Sequence, residues 1–399
     1  SSGNYGAGIL ALSNAQVASA FTNNINAGGA TSTAAFLYYG STHLTGLSGG
    51  FDGTYDASYL ISDVFISETT ISGVLTVVFV LNRSNGTATR GDVYWYDPNV
   101  GSTTTFTGDL HSSTTIDNIA STTTLRVGQL LSHASLPAGT RIASISGATS
   151  ITITAAATAT TAGVTITREL AAKVIHASVP TNIIGNYAHM DGYAFYALAD
   201  GNIGNTEYNT IYTHSASNVI PSVAYPDGAV GVMQYRNLIA VLGLKSLQFF
   251  HNAGLDTGSP LQPVSSGAFR VGCDSARAIT QIGETHAWYG YESAGGDPGI
   301  FVLEGVGYKR ISTSVMERQF VRTGVQNKLY LTTKVLFGKP ILSVIAYDAT
   351  TPREWCFDIE TGRWFEWADA TALKLHTHCT SLRGSMYTVK ALQVPAKLY

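Results

Sequence analysis

The chain has 399 residues, of which 45% are hydrophobic and only 12% charged, about half the roughly 25% charge usual in soluble domains. Its net charge is −3 and its 23 Lys and Arg are scattered without a run, which excludes tight nucleic-acid binding by counterion release but not sliding contact with DNA. Ser, Thr, Ala, Asn, 41 Gly and 21 Tyr take the place of charge, a palette for β-rich parts that pack into large assemblies rather than for an isolated enzyme.

Along the chain, helical spacing is almost absent. Ala11 to Ala20 reads as one short helix, and Val315 to Arg318, after Ser314, as a turn of another. Elsewhere short runs rich in Val, Ile, Thr, Tyr and Phe are broken by Gly, Asn and Asp, which is the pattern of strands and turns. The longest apolar run, Val74 to Leu81 with one Thr inside, falls far short of the roughly 20 residues of a membrane helix and reads as a buried strand.

A long-period repeat organises these strands. Its unit is a turn, an apolar strand, a second turn and a strand carrying aromatics. The first copy is Ser72-Gly73, Val74 to Leu81, and Val93 to Asp97 after Gly91-Asp92. The second is Asp191-Gly192, Tyr193 to Leu198, and Asn209 to Thr213 as partner strand. The third is Arg236-Asn237, Leu238 to Leu242, and Ser246 to Phe250. Gly283-Glu284, His286 to Tyr291 and Ile300 to Glu304 make the fourth; Gly338-Lys339, Ile341 to Tyr347 and Trp355 to Ile359 make the fifth. The sixth, Arg383-Gly384 and Ser385 to Val389, meets the C-terminus. The markers at 192, 237, 284, 339 and 384 step by 45, 47, 55 and 45 residues, close to the roughly 40–50 of propeller blades. The expected fold is therefore all-β, a β-propeller of about six blades, with residues 1–70 supplying a seventh or the strand that closes the ring.

One interval, from 73 to 192, breaks the period. Residues 106–168 are almost all Thr, Ser, Ala, Gly and Ile, with one aromatic, Phe106. Thr149 to Thr154 and Val164 to Thr167 alternate, and Leu136-Pro137-Ala138-Gly139-Thr140 forms a turn between them. Alternating Ile and Val imply a buried face. The expected division is residues 1–105 and 169–399 as propeller, with 106–168 as an inserted, sandwich-like β module.

Catalytic patterns are missing. There is no S-x-D-x-G-x-T-W turn, no G-x-S-x-G elbow and no Walker loop. No carboxylate pair can be placed for glycoside hydrolysis. His376-Thr377-His378-Cys379 is the one metal-like cluster, but on a strand its histidines point one way and Cys379 the other, so surface or interface histidines are the plainer reading. Asp56, Asp63 and Glu68 fit no loop motif. Cys273, Cys356 and Cys379 are odd in number and far apart, as expected of reduced thiols in a protein made in a reducing cytoplasm, with no cofactor and no metal.

From Val179 to Phe320 the chain resembles the packaged-DNA stabilisation, or tail-nozzle, family of short-tailed bacteriophages. Ile211-Tyr212-Thr213 looks like the family's strand, with His214 where serine is usual. Asp227 precedes the strand Gly231 to Leu242, and the run from Gly243 through Ser246 to Asn252 and Gly254 follows, with Gln248 in place of Glu and Phe250 in place of Trp. Gly272-Cys273, Trp288-Tyr289-Gly290 and Arg310-Ile311-Ser312-Thr313 with Glu317 complete the match. These residues read as blade stitching. Val127-Gly128 and Leu136 to Gly139 separately resemble small β modules of phage tail proteins.

The resemblance implies a non-enzymatic virion protein of the tail. It would form a ring of six subunits below a tail adaptor, with fibres or spikes and a needle or plug as neighbours. Such a ring encloses a channel that retains packaged double-stranded DNA and lets it leave on infection. The alternative from another class is a glycan-binding β-propeller, either a lectin or a phage adhesin.

Overall fold

The computed structural model describes residues 7–27, 30–44, 60–85, 87–221, 225, 227–255, 257–292, 296, 298–322, 329–336, 338–346, 353–367, 376–382, 385–390 and 397–398. Its strands form successive antiparallel sheets, numbered here 1 to 7 in chain order. Sheets 1 (within residues 7–43), 3 (183–221), 4 (229–269), 5 (279–310) and 6 (329–367) are four-stranded meanders. Sheet 2 (60–173) has nine strands and sheet 7 (376–398) three. The expected count of about six blades is thus corrected to five four-stranded blades plus these two further sheets. The hydrophobic periodicity missed sheet 1 because its strands, such as Val17–Ala27 and Ala30–Tyr39, are built from Ala, Thr and Asn more than from aromatics.

Neighbouring sheets meet mainly through their first strands, and the first strand of sheet 7, His376–Leu382, lies against that of sheet 1, Ala7–Ala11. The ring closes on itself. The cores are accordingly seams between sheets. One gathers sheets 1 and 2 around Phe79 and Tyr94, the next gathers sheets 2 and 3 around Trp95 and Tyr196, and others join sheets 3 to 6. The second strands are covered on both faces, which is why Val74–Ser84, Tyr193–Leu198 and Leu238–Gly243 read as apolar runs rather than alternating ones.

The first four repeat markers are two-residue hairpin turns between first and second strands; at the fifth Lys339 already pairs with Leu336, and Arg383-Gly384 lies outside the described residues. Ser72 and Gly73 have φ of 49° and 80°, and Asp191 and Gly192 have 52° and 80°. Both central residues are left-handed, as a type I′ turn requires. At Arg236-Asn237 and Gly283-Glu284 only the first residue has positive φ, the type II′ pattern.

Two sequence expectations are overturned. Ala11 to Ala20 is not a helix: Leu12 donates to the Gln16 carbonyl at 2.8 Å, Ala15 has φ of 64°, and Val17 opens a strand. A hairpin satisfies the backbone there and buries Ala18 and Ala20 completely. Asn209 to Thr213 is not the partner strand of sheet 3. That place belongs to Asn202–Thr206, where the bare Cα of Gly204 leaves room for the Tyr196 ring. The helical turn after Ser314 is present as the helix Ser314–Arg322.

The inserted segment leaves sheet 2 between its third and fourth strands. Its strands continue the same sheet through the shared strand Thr161–Lys173, which pairs with Thr105–Leu110 at one end and with Tyr94 and Trp95 at the other. Leu110, Ile116, Leu131, Ile142, Ile151 and Ile166 form a buried cluster of its own.

Candidate functional site

The motif residues fall into three stitches and a further set of turn links. In the first, Asp227 holds the turn at Gly243 to Ser246 by accepting from the Lys245 amide (2.6 Å) and the Ser246 hydroxyl (2.8 Å). The Gly243 carbonyl then accepts from the Cys273 amide at 2.9 Å. Gly272 donates to Tyr291 and its carbonyl accepts from the Trp288 indole at 3.2 Å, so the backbone of sheet 4 is tied to sheet 5. Cys273 is fully buried, its thiol is 3.2 Å from the Ser275 carbonyl, and burial pushes its pKa well up. It is not a nucleophile in this setting.

The second stitch uses Ile211 to His214. Ile211 is buried in the seam of sheets 2 and 3, and Tyr212 stacks on Trp95 at 5.3 Å. The Thr213 carbonyl accepts from Glu207 at 2.9 Å. His214 is 2% exposed and its Nδ1 lies 2.9 Å from the Tyr196 hydroxyl. Burial, with the nearby His176, pulls its pKa down to about 4. An unfolded histidine titrates near 6.5, so the folded state disfavours the proton and this stability is complete above about pH 6.5. Between pH 6.5 and 4 the unfolded chain takes up the proton first, and about 3 kcal/mol is lost on acidification. We expect the urea midpoint to fall from pH 7 to pH 4.5, and to fall distinctly less in His214→Gln; equal slopes in both proteins would contradict this.

In the third stitch Arg310 donates to Glu317 at 2.9 Å and pairs with Glu292 at 3.4 Å, while covering the Phe301 ring at 5.7 Å. The Ser312 hydroxyl bonds Glu317 (2.6 Å) and accepts from the Ile300 amide (3.0 Å). Ile311 packs against the core, and the Thr313 carbonyl accepts from the Glu317 amide in the first turn of the helix. Arg310, Ser312 and Glu317 thus dock that helix on sheet 5.

A fourth set links hairpin turns to the next sheet. Ser72 and Asn209 exchange two bonds, amide to Oδ1 at 3.1 Å and Nδ2 to hydroxyl at 3.0 Å. Asn252 donates to Asp191 at 3.1 Å while its Oδ1 accepts from Gly254, whose φ is 65°. The Gly305 amide donates to the Tyr235 hydroxyl at 3.2 Å.

Among the described residues no group of three or more His, Cys, Asp or Glu is placed to hold a metal ion. The side chains of His376, His378 and Cys379, and all of Asp56, lie outside the described residues. Asp63 and Glu68 have separate partners: Asp63 is 3.7 Å from Arg277, and Glu68 accepts from Ser13. Among described residues no helix is long and apolar enough to cross a membrane.

Sequence reasoning passed over the arginines that join the insert to sheet 2. Arg126 pairs with Asp97 at 2.6 Å. Arg141 bonds the Gly128 carbonyl and lies 5.9 Å from the Tyr94 ring centre. Arg168, 2% exposed, donates to the carbonyls of Val100 and Thr124 and to Gln129. A signal existed: between residues 118 and 167, Arg126 and Arg141 are the only charges.

The fold and the use of its motif residues define the class: a β-propeller whose motif residues hold sheets together. Residues 92–329 match the family Phage_stabilise, described as "Bacteriophage P22 Gp10, beta-propeller". The chain belongs to this family of phage structural, DNA-stabilising proteins associated with the tail. No curated protein matches it in sequence. Among solved structures it is similar to a chain of "Crystal Structure of Mitotic Checkpoint Complex" (11% identity, TM-score 0.45, covering 96% of this chain and 86% of that one). It is also similar to a chain of "Crystal structure of Nidogen/Laminin Complex" (11% identity, TM-score 0.33, covering 74% and 93%).

Proposed function

We propose that this protein is the tail-nozzle subunit of a short-tailed phage. Six copies form a ring whose channel retains packaged DNA and allows its ejection, without enzymatic activity. Family membership carries the reading. The ring docks on a tail adaptor and carries fibres or spikes and a needle or plug. Residues 1–105 and 169–399 act as the propeller, and 106–168, with its separate core, as an inserted unit.

A six-membered ring carries a net charge of about −18. Strong phosphate contacts would brake release, because each neutralised phosphate adds to binding. The assembled particle should have a mass of about 250 kDa, six times 42.2 kDa. It should bind duplex DNA weakly, with little change between about 50 and 200 mM salt, where a many-contact binder loses several decades of affinity. A monomer at all concentrations counts against the ring, and tight binding that collapses with salt counts against an uncharged conduit.

One observation favours the glycan-binding alternative. Tyr208 and Tyr212 are 67% and 40% exposed, braced by Tyr193 and Trp95 respectively. Rigid exposed aromatic rings suit sugar faces. A glycan array with strong signals abolished in Tyr208→Ala and Tyr212→Ala would favour that reading.

A further inference from the structure

The connection from sheet 4 to sheet 5 carries a 3₁₀ turn, Ala276–Ala278, which lies against the first strands of sheets 3 and 6. Arg277 donates to the Tyr330 hydroxyl at 3.2 Å and its guanidinium lies 5.4 Å from the centre of that ring. Its other nitrogen is 3.7 Å from Asp63. Tyr330 belongs to the first strand of sheet 6 and Asp63 to that of sheet 2, three sheets away from sheet 5 around the ring.

Two more sheets press through bare backbone on the turn and on the strand that follows it. A Cβ on Gly185, in the first strand of sheet 3, would stand 3.1 Å from the Ala276 methyl. A Cβ on Gly231, in the first strand of sheet 4, would stand 2.5 Å from the tip of Ile279. The turn therefore touches sheets 2, 3 and 6 while leading into sheet 5, whose first residue, Ile279, meets sheet 4. Cys273, just before the turn, is fully buried, and Ala278 within it is 1% exposed.

We propose that residues 274–278 are an axial plug, closing one mouth of the subunit's shaft and opening without unfolding of the blades. Arg277 is its pin. The pin is a weak tether: Arg277 keeps 32% and Asp63 16% of side-chain exposure, so solvent screens the pair. A turn outside the strand ladders opens locally at lower free energy than the strands around it. The plug stands apart from the nozzle reading, since any propeller role is compatible with a shaft closed in this way.

Cys273 reports the opening, and Cys356, fully buried in sheet 6, reports the fold. The full chain is treated with N-ethylmaleimide at pH 8, and labelling of the two cysteine peptides is followed by mass spectrometry. In Arg277→Ala we expect Cys273 to label about five- to tenfold faster while Cys356 stays at its wild-type rate. Tyr330→Phe, which keeps the ring and the ion pair, should give a smaller rise. In the wild type, 1 M salt should speed Cys273 alone, because it screens the Asp63 pair. Unchanged Cys273 labelling in Arg277→Ala, or Cys356 rising in step with Cys273, overturns the proposal.

Discussion

Gly272→Ala and Gly290→Ala should each destabilise the protein by about 3 kcal/mol or more. A Cβ on Gly272 would stand 1.9 Å from the Leu244 carbonyl oxygen, and one on Gly290 would stand 1.8 Å from the Gly272 carbonyl oxygen. Three backbones are layered here, and no side chain can swing aside to relieve the overlap. Gly254→Ala is the control: its Cβ meets nothing within 4 Å, and the cost is only that of φ at 65°, about 1–2 kcal/mol. Urea denaturation of the three variants tests the ordering. A Gly272→Ala midpoint equal to that of Gly254→Ala would show that the layers part easily.

Arg168→Met should cost about 3 kcal/mol, because it strips the carbonyls of Val100 and Thr124 of their donor, at about 1–3 kcal/mol for each one left bare, while the Gln129 amide oxygen keeps the Arg126 amide. Burial first, then the nearby Arg126, lowers the Arg168 pKa to about 10, so the guanidinium is still charged at neutral pH. Arg126→Ala should cost about 1 kcal/mol, since that pair is partly open to water, with 22% of the Arg126 side chain exposed. Thermal melts should rank Arg168→Met well below Arg126→Ala. The reverse order would mean that the insert is held by the Asp97 pair instead.

The hairpin turns were legible because their chemistry is local. A pair such as Asp191-Gly192 announces positive φ before any tertiary contact exists, and the first four of these turns fall where the repeat placed them. The strand opposite Tyr193–Leu198 was not legible. Asn209 to Thr213 has the β-branched and aromatic residues of a strand, while Asn202–Thr206 wins through the space Gly204 gives Tyr196. Local propensity lost to packing. The stitches at Asp227, Ser246, Arg310 and Glu317 lie within the stretch where the family resemblance was drawn, but what each holds emerges only from its partners. Arg277 was out of reach altogether: nothing near it in sequence points to Asp63 or Tyr330.

The strand Thr161–Lys173 has a mechanical consequence. Its 13 residues make a beam of about 43 Å at roughly 3.3 Å per residue. One end pairs inside the insert, the other with Tyr94 and Trp95, and Gln129–Ser132 flanks its middle. A pull on the insert along this beam loads those ladder bonds in shear, all together, whereas a sideways pull peels them one at a time. The insert is therefore stiff in one direction and yielding in the other, and any neighbour that tugs along the beam moves sheet 2 with it, with no hinge between them to absorb the stroke.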